Sequence, residues 1–246
     1  DEDFNTLASL GALKNLDMLV GGDKEFDSNV FYSSVYKAGQ YEGSQYALPM
    51  ECNPTLMFVN KTLLQKEGIK VPDNDWTWDD FYDICKTIVK DSDGDGQMDQ
   101  FGCYDYTWLQ AVYSNGITPF NQSGTSSNFL DEKFSQSLEF VKRLEATNRN
   151  YQVTSNDFDL GKVAFRPFTF SDYRTYMPYP WRIKKYSGFE WTCIRMPAGP
   201  SGDNRSEMSA LMAGMSSRTE KKQCAWDFVK LLTTDIDTKI PQQLLY

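Results

Sequence analysis

The sequence contains no histidine. That absence removes the Ser-His-Asp and Cys-His nucleophile pairs, His-ligated zinc and any imidazole proton shuttle. It also has no CxxC pair: its five cysteines, at 52, 85, 103, 193 and 224, are scattered and odd in number. A disulfide framework is therefore excluded, and small buried apolar roles are expected for these residues. Positive charge is in deficit, with 25 Lys and Arg against 34 Asp and Glu, a net −9. Such a balance argues against nucleic acid or an anionic membrane as the partner. No stretch reaches the about 20 consecutive apolar residues of a membrane span. The opening residues also lack the basic and apolar regions of a signal peptide. A P-loop is missing too, since no GxxxxGK[ST] occurs.

What the chain does have is aromatic residues, 16 Phe, 14 Tyr and 6 Trp in 246 positions. Trp76, Trp78, Tyr104, Tyr106, Trp108, Phe168, Phe170, Tyr173, Tyr176, Tyr179 and Trp181 exceed the needs of one core. Rings of this kind, with carboxylates and amides between them, suit a pocket for a neutral polyhydroxylated ligand. Phe81 and Phe228 are expected in the core, and Trp76 and Trp78 in packing at a helix start.

Strand and helix patterns alternate, which favours an α/β architecture. Thr55 to Val59 reads as a strand ended by Asn60, a helix cap, and Gly68 suits the position after that helix. Thr77 with Asp80 forms a variant capping box before Phe81, Ile84, Cys85, Ile88 and Val89 at helical spacing. Residues 4 to 19 read as a short helix, a turn and an extended arrival at Val20, which Gly21-Gly22 breaks, and Met208 to Met215 as a buried strand. Ala225, Phe228, Val229 and Leu232 form the stripe of a late helix.

Between the Phe81 helix and the next strand lies Asp91-Ser-Asp93-Gly-Asp95-Gly-Gln97-Met-Asp99. Carboxylates at alternating positions followed by glycine point oxygens at one centre, as a hard Ca²⁺ ion requires. Asp91, Asp93, Asp95, the carbonyl of Gln97 and Asp99 are the candidate ligands. The twelfth position, where an EF-hand loop carries a bidentate Glu, is Gly102. The competing reading is an Asp/Gly turn whose side chains cap backbone N–H groups.

The run from Tyr46 to Gly102, with Tyr46-Ala-Leu-Pro49, Val59-Asn-Lys61, Trp76-Thr-Trp-Asp-Asp-Phe81 and the Asp/Gly loop, resembles bacterial extracellular solute-binding proteins of the sugar-uptake type, maltose-binding-like members included. Phe158-Asp-Leu-Gly-Lys-Val-Ala-Phe165, Met196-Pro-Ala-Gly-Pro200 and Ala225-Trp-Asp-Phe-Val-Lys-Leu-Leu232 extend the resemblance in order. It implies a two-lobe periplasmic-binding-protein-like α/β fold of class II type, with a hinge. The first lobe would take residues 1–50 and 206–246 and the second 54–197, with crossings near 50–53 and 198–206. It further implies that a first strand-helix-strand unit and a C-terminal portion are missing.

By position, the resemblance assigns ligand contact to Glu51 and Asn53 at the first crossing. Asp105, Tyr106 and Trp108 follow the acidic loop, Phe168, Phe170 and Tyr173 end a later strand, and Glu2 or Asp3 precedes the opening helix. The implied protein is a non-catalytic, monomeric, extracytoplasmic binder, lipid-anchored or free, that delivers a sugar to ABC transporter permease subunits. The expected ligand is a neutral oligosaccharide. The rival readings are a carboxylate-based glycoside hydrolase or lyase and a calcium-stabilised interaction module.

Overall fold

The computed structural model describes residues 2–121, 125–169, 172 and 188–234, with side chains given from residue 4. In chain order it contains α1 (Glu2–Ser9), α2 (Asp17–Gly22), α3 (Ser33–Lys37), β1 (Gln40–Tyr41), β2 (Ser44–Gln45), β3 (Ala47–Asn60) and α4 (Lys61–Lys66). Then come α5 (Trp78–Ile88), β4 (Phe101–Cys103), α6 (Trp108–Ser114), α7 (Glu132–Ala146), α8 (Ser155–Asp159) and β5 (Val163–Thr169). The last elements are β6 (Trp191–Ile194), β7 (Met208–Gly214) and α9 (Lys222–Thr234). Among the described residues no helix is long and apolar enough to cross a membrane.

The chain divides into two compact units, residues 1–53 with 208–246, and residues 54–207. The second is built on a sheet of order β4-β5-β3-β6. β4 and β5 run parallel, with Phe101 opposite Val163, and β3 is antiparallel to both β5 and β6. The link from β4 to β5 passes through α6, α7 and α8, the long crossover that a parallel pair requires. Alternation along β3 sends Met57 and Val59 to one cluster, with Phe81, Ile88, Phe140 and Phe165, and Phe58 to another, with Phe158 and Phe168. Both faces of this sheet are therefore sealed by aromatic packing. Helix α5 approaches β4 so closely that a Cβ on Gly102 would lie 2.4 Å from that of Cys85.

Local signals in this unit behave as the sequence predicts. Asn60 Oδ1 accepts the Leu63 N–H at 2.9 Å, and Gly68 takes φ +69° after α4. The Asp80 carboxylate accepts the Thr77 N–H at 2.8 Å while the Asp80 N–H donates back to Thr77 Oγ1, closing the capping box of α5. Trp76 and Trp78 are buried beside that start, with the Trp76 indole donating to the Arg195 carbonyl at 2.9 Å.

The first unit pairs β7 with β3 and packs Leu16, Leu48, Met215, Trp226 and Val229 into a smaller cluster. A hairpin, Gln40 opposite Gln45, turns on Glu42 and Gly43, both at positive φ. Gly39 is the residue that fits beside it, since a Cβ there would lie 2.0 Å from the Ala47 carbonyl oxygen. Asp23 joins distant parts of the sequence: its Oδ2 accepts the Trp226 indole N–H and the Lys230 ammonium, each at 2.8 Å.

Three expectations fail here. Residues 17–22 are helical rather than extended, because Asn15 Oδ1 accepts the Asp17 N–H and the Leu16 carbonyl accepts from Leu19 and Val20. Strand β7 forms, but none of its residues is buried. Phe228 is 58% exposed: α9 buries Trp226, Val229 and Thr233, and Phe228 lies about 200° around the helix from Trp226. The cysteines also divide, with Cys85 and Cys103 buried, Cys52 and Cys193 half-buried and Cys224 exposed. Burial pushes the Cys193 thiol up to about 11, which leaves it an unreactive thiol at neutral pH.

Candidate functional site

The chain leaves β4 through Tyr104 and Asp105 and enters α6 at Trp108. Asp105 takes φ +63°, a left-handed conformation that is uncommon outside glycine and costs backbone strain. Its side chain is exposed. Thr107 fixes the turn: the Gln110 amide oxygen accepts its backbone N–H at 2.6 Å and its hydroxyl at 2.5 Å. Trp108, the first residue of α6, is thereby held 43% exposed, its ring 5.8 Å from that of Phe134.

These residues form one wall of a cavity of about 750 Å³ within the second unit. Val141, Leu144 and Glu145 of α7 and the segment from Asn148 to Val153 form the other wall. Tyr151 is stacked on Phe101, centroids 4.4 Å apart, and its hydroxyl donates to Asp157 Oδ1 at 3.3 Å. The lining thus combines aromatic faces, the carboxylates of Asp105 and Glu145, and the amides of Asn148, Asn150 and Gln152, with Lys142 as a cation. The volume lies within the range of small-molecule sites, and apolar walls with few polar groups are their usual composition.

The structure treats the predicted residues unequally. Asp105, Tyr106 and Trp108 all reach this cavity. Tyr106, however, is only 6% exposed, and its hydroxyl is engaged by the Trp78 indole N–H at 3.2 Å and by Ser114 Oγ at 3.3 Å. Burial raises its pKa well above the tyrosine value. Its hydroxyl is thus spent within the protein, and its ring packs edge-on with Phe81 and Phe140. Phe168 is core: it meets Phe58 edge-on at 5.2 Å and carries the Arg166 guanidinium 4.0 Å above its ring. Glu51 is exposed and Asn53 half-buried, both on β3 within the first unit. Phe170, Tyr173 and the side chains of Glu2 and Asp3 lie outside the described residues.

The wall contributed by Glu145, Asn148, Asn150 and Tyr151 was not legible in the sequence. A local sign existed: Arg149 and Asn150 both take positive φ just after α7, where asparagine commonly ends a helix. Nothing in the linear pattern says that this turn faces Asp105, more than 40 residues earlier.

In the acidic loop, one oxygen each from Asp91, Asp93 and Asp99 lie within 4.8 Å of one another. The turn reading is realised in the side-chain caps of this loop. Asp91 accepts the N–H groups of Gly94 at 2.6 Å and Gly96 at 2.7 Å, and these bonds, that from Gly96 foremost, hold its pKa below the ordinary value. Asp99 accepts the backbone N–H and the hydroxyl of Ser92. Asp95 stands outside the group, capping the Gln97 N–H at 2.8 Å.

Two α/β units joined at β3 and ahead of β7, with an aromatic cavity at the end of a parallel strand, are features of a small-molecule binder. The chain belongs to the bacterial extracellular solute-binding protein family, whose profile matches residues 2–239. It is similar to an ABC substrate-binding protein of Listeria monocytogenes in complex with cycloalternan, with a TM-score of 0.71 and 21% identity over 94% of this chain and 59% of that one. A solute-binding protein of Agrobacterium radiobacter in complex with ribitol matches with TM-score 0.69 and 19% identity, over 97% and 62%. The GacH receptor of Streptomyces glaucescens, solved unliganded and with acarbose, matches with 0.65 and 22%, over 94% and 58%. The chain thus spans about three fifths of the length of the solved proteins it matches.

Proposed function

We propose that this chain is the larger part of a carbohydrate-binding subunit of an ABC importer, and that the cavity beside Asp105 and Trp108 holds a neutral sugar. The observation that carries this reading is the mixed lining of that cavity. Trp108 and Tyr151 offer ring faces to the apolar faces of a sugar, while Asp105, Glu145 and the amides are placed for its hydroxyls. The complexes of the similar proteins with cycloalternan, ribitol and acarbose support the ligand class. The subunit is read as extracytoplasmic, in keeping with its family. It would act as a monomer, lipid-anchored or free, that passes its sugar to the permease subunits.

The subunit is read as non-catalytic. Among the described residues, the carboxylates with a displaced pKa, Asp17, Asp23, Glu67 and Asp91, are all displaced downward. A general acid for glycoside cleavage needs the opposite shift. Thermal melts with a panel of mono- and oligosaccharides test the reading. A binding sugar at a hundredfold excess over its Kd adds about 2.7 kcal/mol of stability, and Trp108→Ala should remove the shift. A panel with no stabilising sugar overturns the proposal.

The acidic loop is proposed to take Ca²⁺ as a structural ion. Asp91, Asp93 and Asp99 are its ligands here, supported by three close carboxylates on a glycine-turned loop. Calorimetry after chelator treatment should detect binding that Asp93→Ala abolishes. No heat with Ca²⁺ rejects it.

A further inference from the structure

Between α6 and α7 the chain runs fourteen residues, Ile117 to Leu130, without a charged side chain, although charged residues are 24% of the whole. This stretch displays its aromatic rings outward. Phe120 is 54% exposed and Phe129 47%, against the few per cent of rings in the core. A chain of ring contacts links them to Trp108 of the cavity wall: Trp108 is 5.8 Å from Phe134, Phe134 is 5.0 Å from Phe129, and Phe129 is 5.7 Å from Phe120. Phe134 is buried and backs the row, so the exposed members are Trp108, Phe129 and Phe120.

The arms that hold these rings are well bonded. Phe120 pairs with Ser127, Asn121 N–H donates to the Ser126 carbonyl at 3.0 Å, and Asn128 N–H donates to the Pro119 carbonyl at 2.9 Å. Asn121 Oδ1 accepts from Thr125 and Ser126, and the Asn128 amide donates to the Thr118 carbonyl at 2.9 Å. Exposed phenylalanines on such a framework lose little entropy on binding, which is how preorganisation raises affinity. Leaving them in water is unfavourable, so a partner of matching chemistry is called for.

We propose that Phe129 and Phe120 continue the sugar site outward from Trp108, as a stacking row for the successive units of an extended neutral oligosaccharide. Neutral polar residues flank the rings in the chain, Thr118 and Asn121 near Phe120 and Ser127 and Asn128 before Phe129, and rings among uncharged hydrogen-bonding groups suit a sugar's apolar faces and hydroxyls. Trp108 supplies continuity, since it belongs to both the cavity wall and the row. The proposal rests on the carbohydrate reading and adds chain length as the selected property.

Calorimetry on the full chain with two linear series, maltose to maltohexaose and mannobiose to mannohexaose, tests it. Affinity in the series that binds should rise with length beyond the disaccharide. The double variant Phe120→Ala/Phe129→Ala should lose about tenfold for the tetrasaccharide and longer, the equivalent of about 1.4 kcal/mol. It should leave the disaccharide and the melting temperature unchanged, and Phe129→Tyr should restore the long-chain gain. Trp108→Ala should weaken every length. Binding without length dependence, or equal affinity of double variant and parent at all lengths, overturns the row while leaving the carbohydrate reading intact. Absence of binding in both series overturns the row together with its foundation.

Discussion

The two units differ in how completely they bury themselves. In the second, both faces of the sheet are covered, and Met57, Phe58, Val59, Phe81, Phe101, Phe158 and Phe165 are all within 1% of full burial. Among the described residues of the first, the core is a handful of side chains around Trp226, while Leu10, Met18, Val30, Tyr32, Leu211 and Phe228 are each more than half exposed. The lesson concerns continuity. The second unit is one uninterrupted stretch that brings its own helices to both faces of its sheet. The first is assembled from two separated stretches, and its strand β7 has no buried residue. A sheet needs cover before it becomes a core.

The contrast can be broken most severely at Phe81. Its ring contacts Trp76, Tyr106, Phe140 and Phe165, so Phe81→Ala should cost about 3–5 kcal/mol in denaturant melts. A loss below about 1 kcal/mol would mean that the core relaxes far more than close packing allows. Thr77→Ala removes one half of the capping box and should cost about 1 kcal/mol, with Thr77→Ser recovering most of it.

Acid should separate the units. Hydrogen bonds from Lys230 and then Trp226 lower the Asp23 pKa to about 2, from an ordinary 3.8. A depressed carboxylate contributes its stability above the unfolded pKa and loses it as pH falls through the folded one. The Trp226 indole resonance should therefore shift between about pH 4 and pH 2, and Asp23→Asn should abolish that step. An unchanged profile in Asp23→Asn would detach the step from this residue. The smallest effect belongs to Phe228→Ser, expected within about 0.5 kcal/mol of the parent because the ring is exposed. A larger loss would show that α9 buries this face after all.

Much of the second unit was legible because its signals are local. Thr77 and Asp80, Asn60, Gly68 and the alternation from Met57 to Val59 each act over a few residues, and each behaves as written. The errors arose where tertiary cover decides the outcome. Phe228 and β7 are apolar enough to be core, yet burial depends on what lies opposite, which a periodic pattern does not encode. The site divides in the same way. Asp105 and Trp108 were assigned by position from the family resemblance and both line the cavity, whereas Tyr106 and Phe168 were drawn inward by Trp78, Ser114, Phe58 and Phe158. Tyr151, Phe120 and Phe129 carry no motif: the segment after α7 brings Tyr151 to the cavity, and Phe134 of α7 links Phe129 to Trp108.

The carboxylate of Asp23 holds a side chain 203 positions later and another 207 positions later. For a chain emerging from its N-terminus, this sets a timetable. Residues 54–207 carry every contact of their own core, and that core can close while the remainder is still being made. The first 53 residues, although synthesised earlier, must wait for Trp226 and Lys230 before Asp23, Leu16 and Leu48 gain their partners. Contacts closed over such long separations are slow to form. Residues 1–53 thus mature after the stretch that follows them in the sequence.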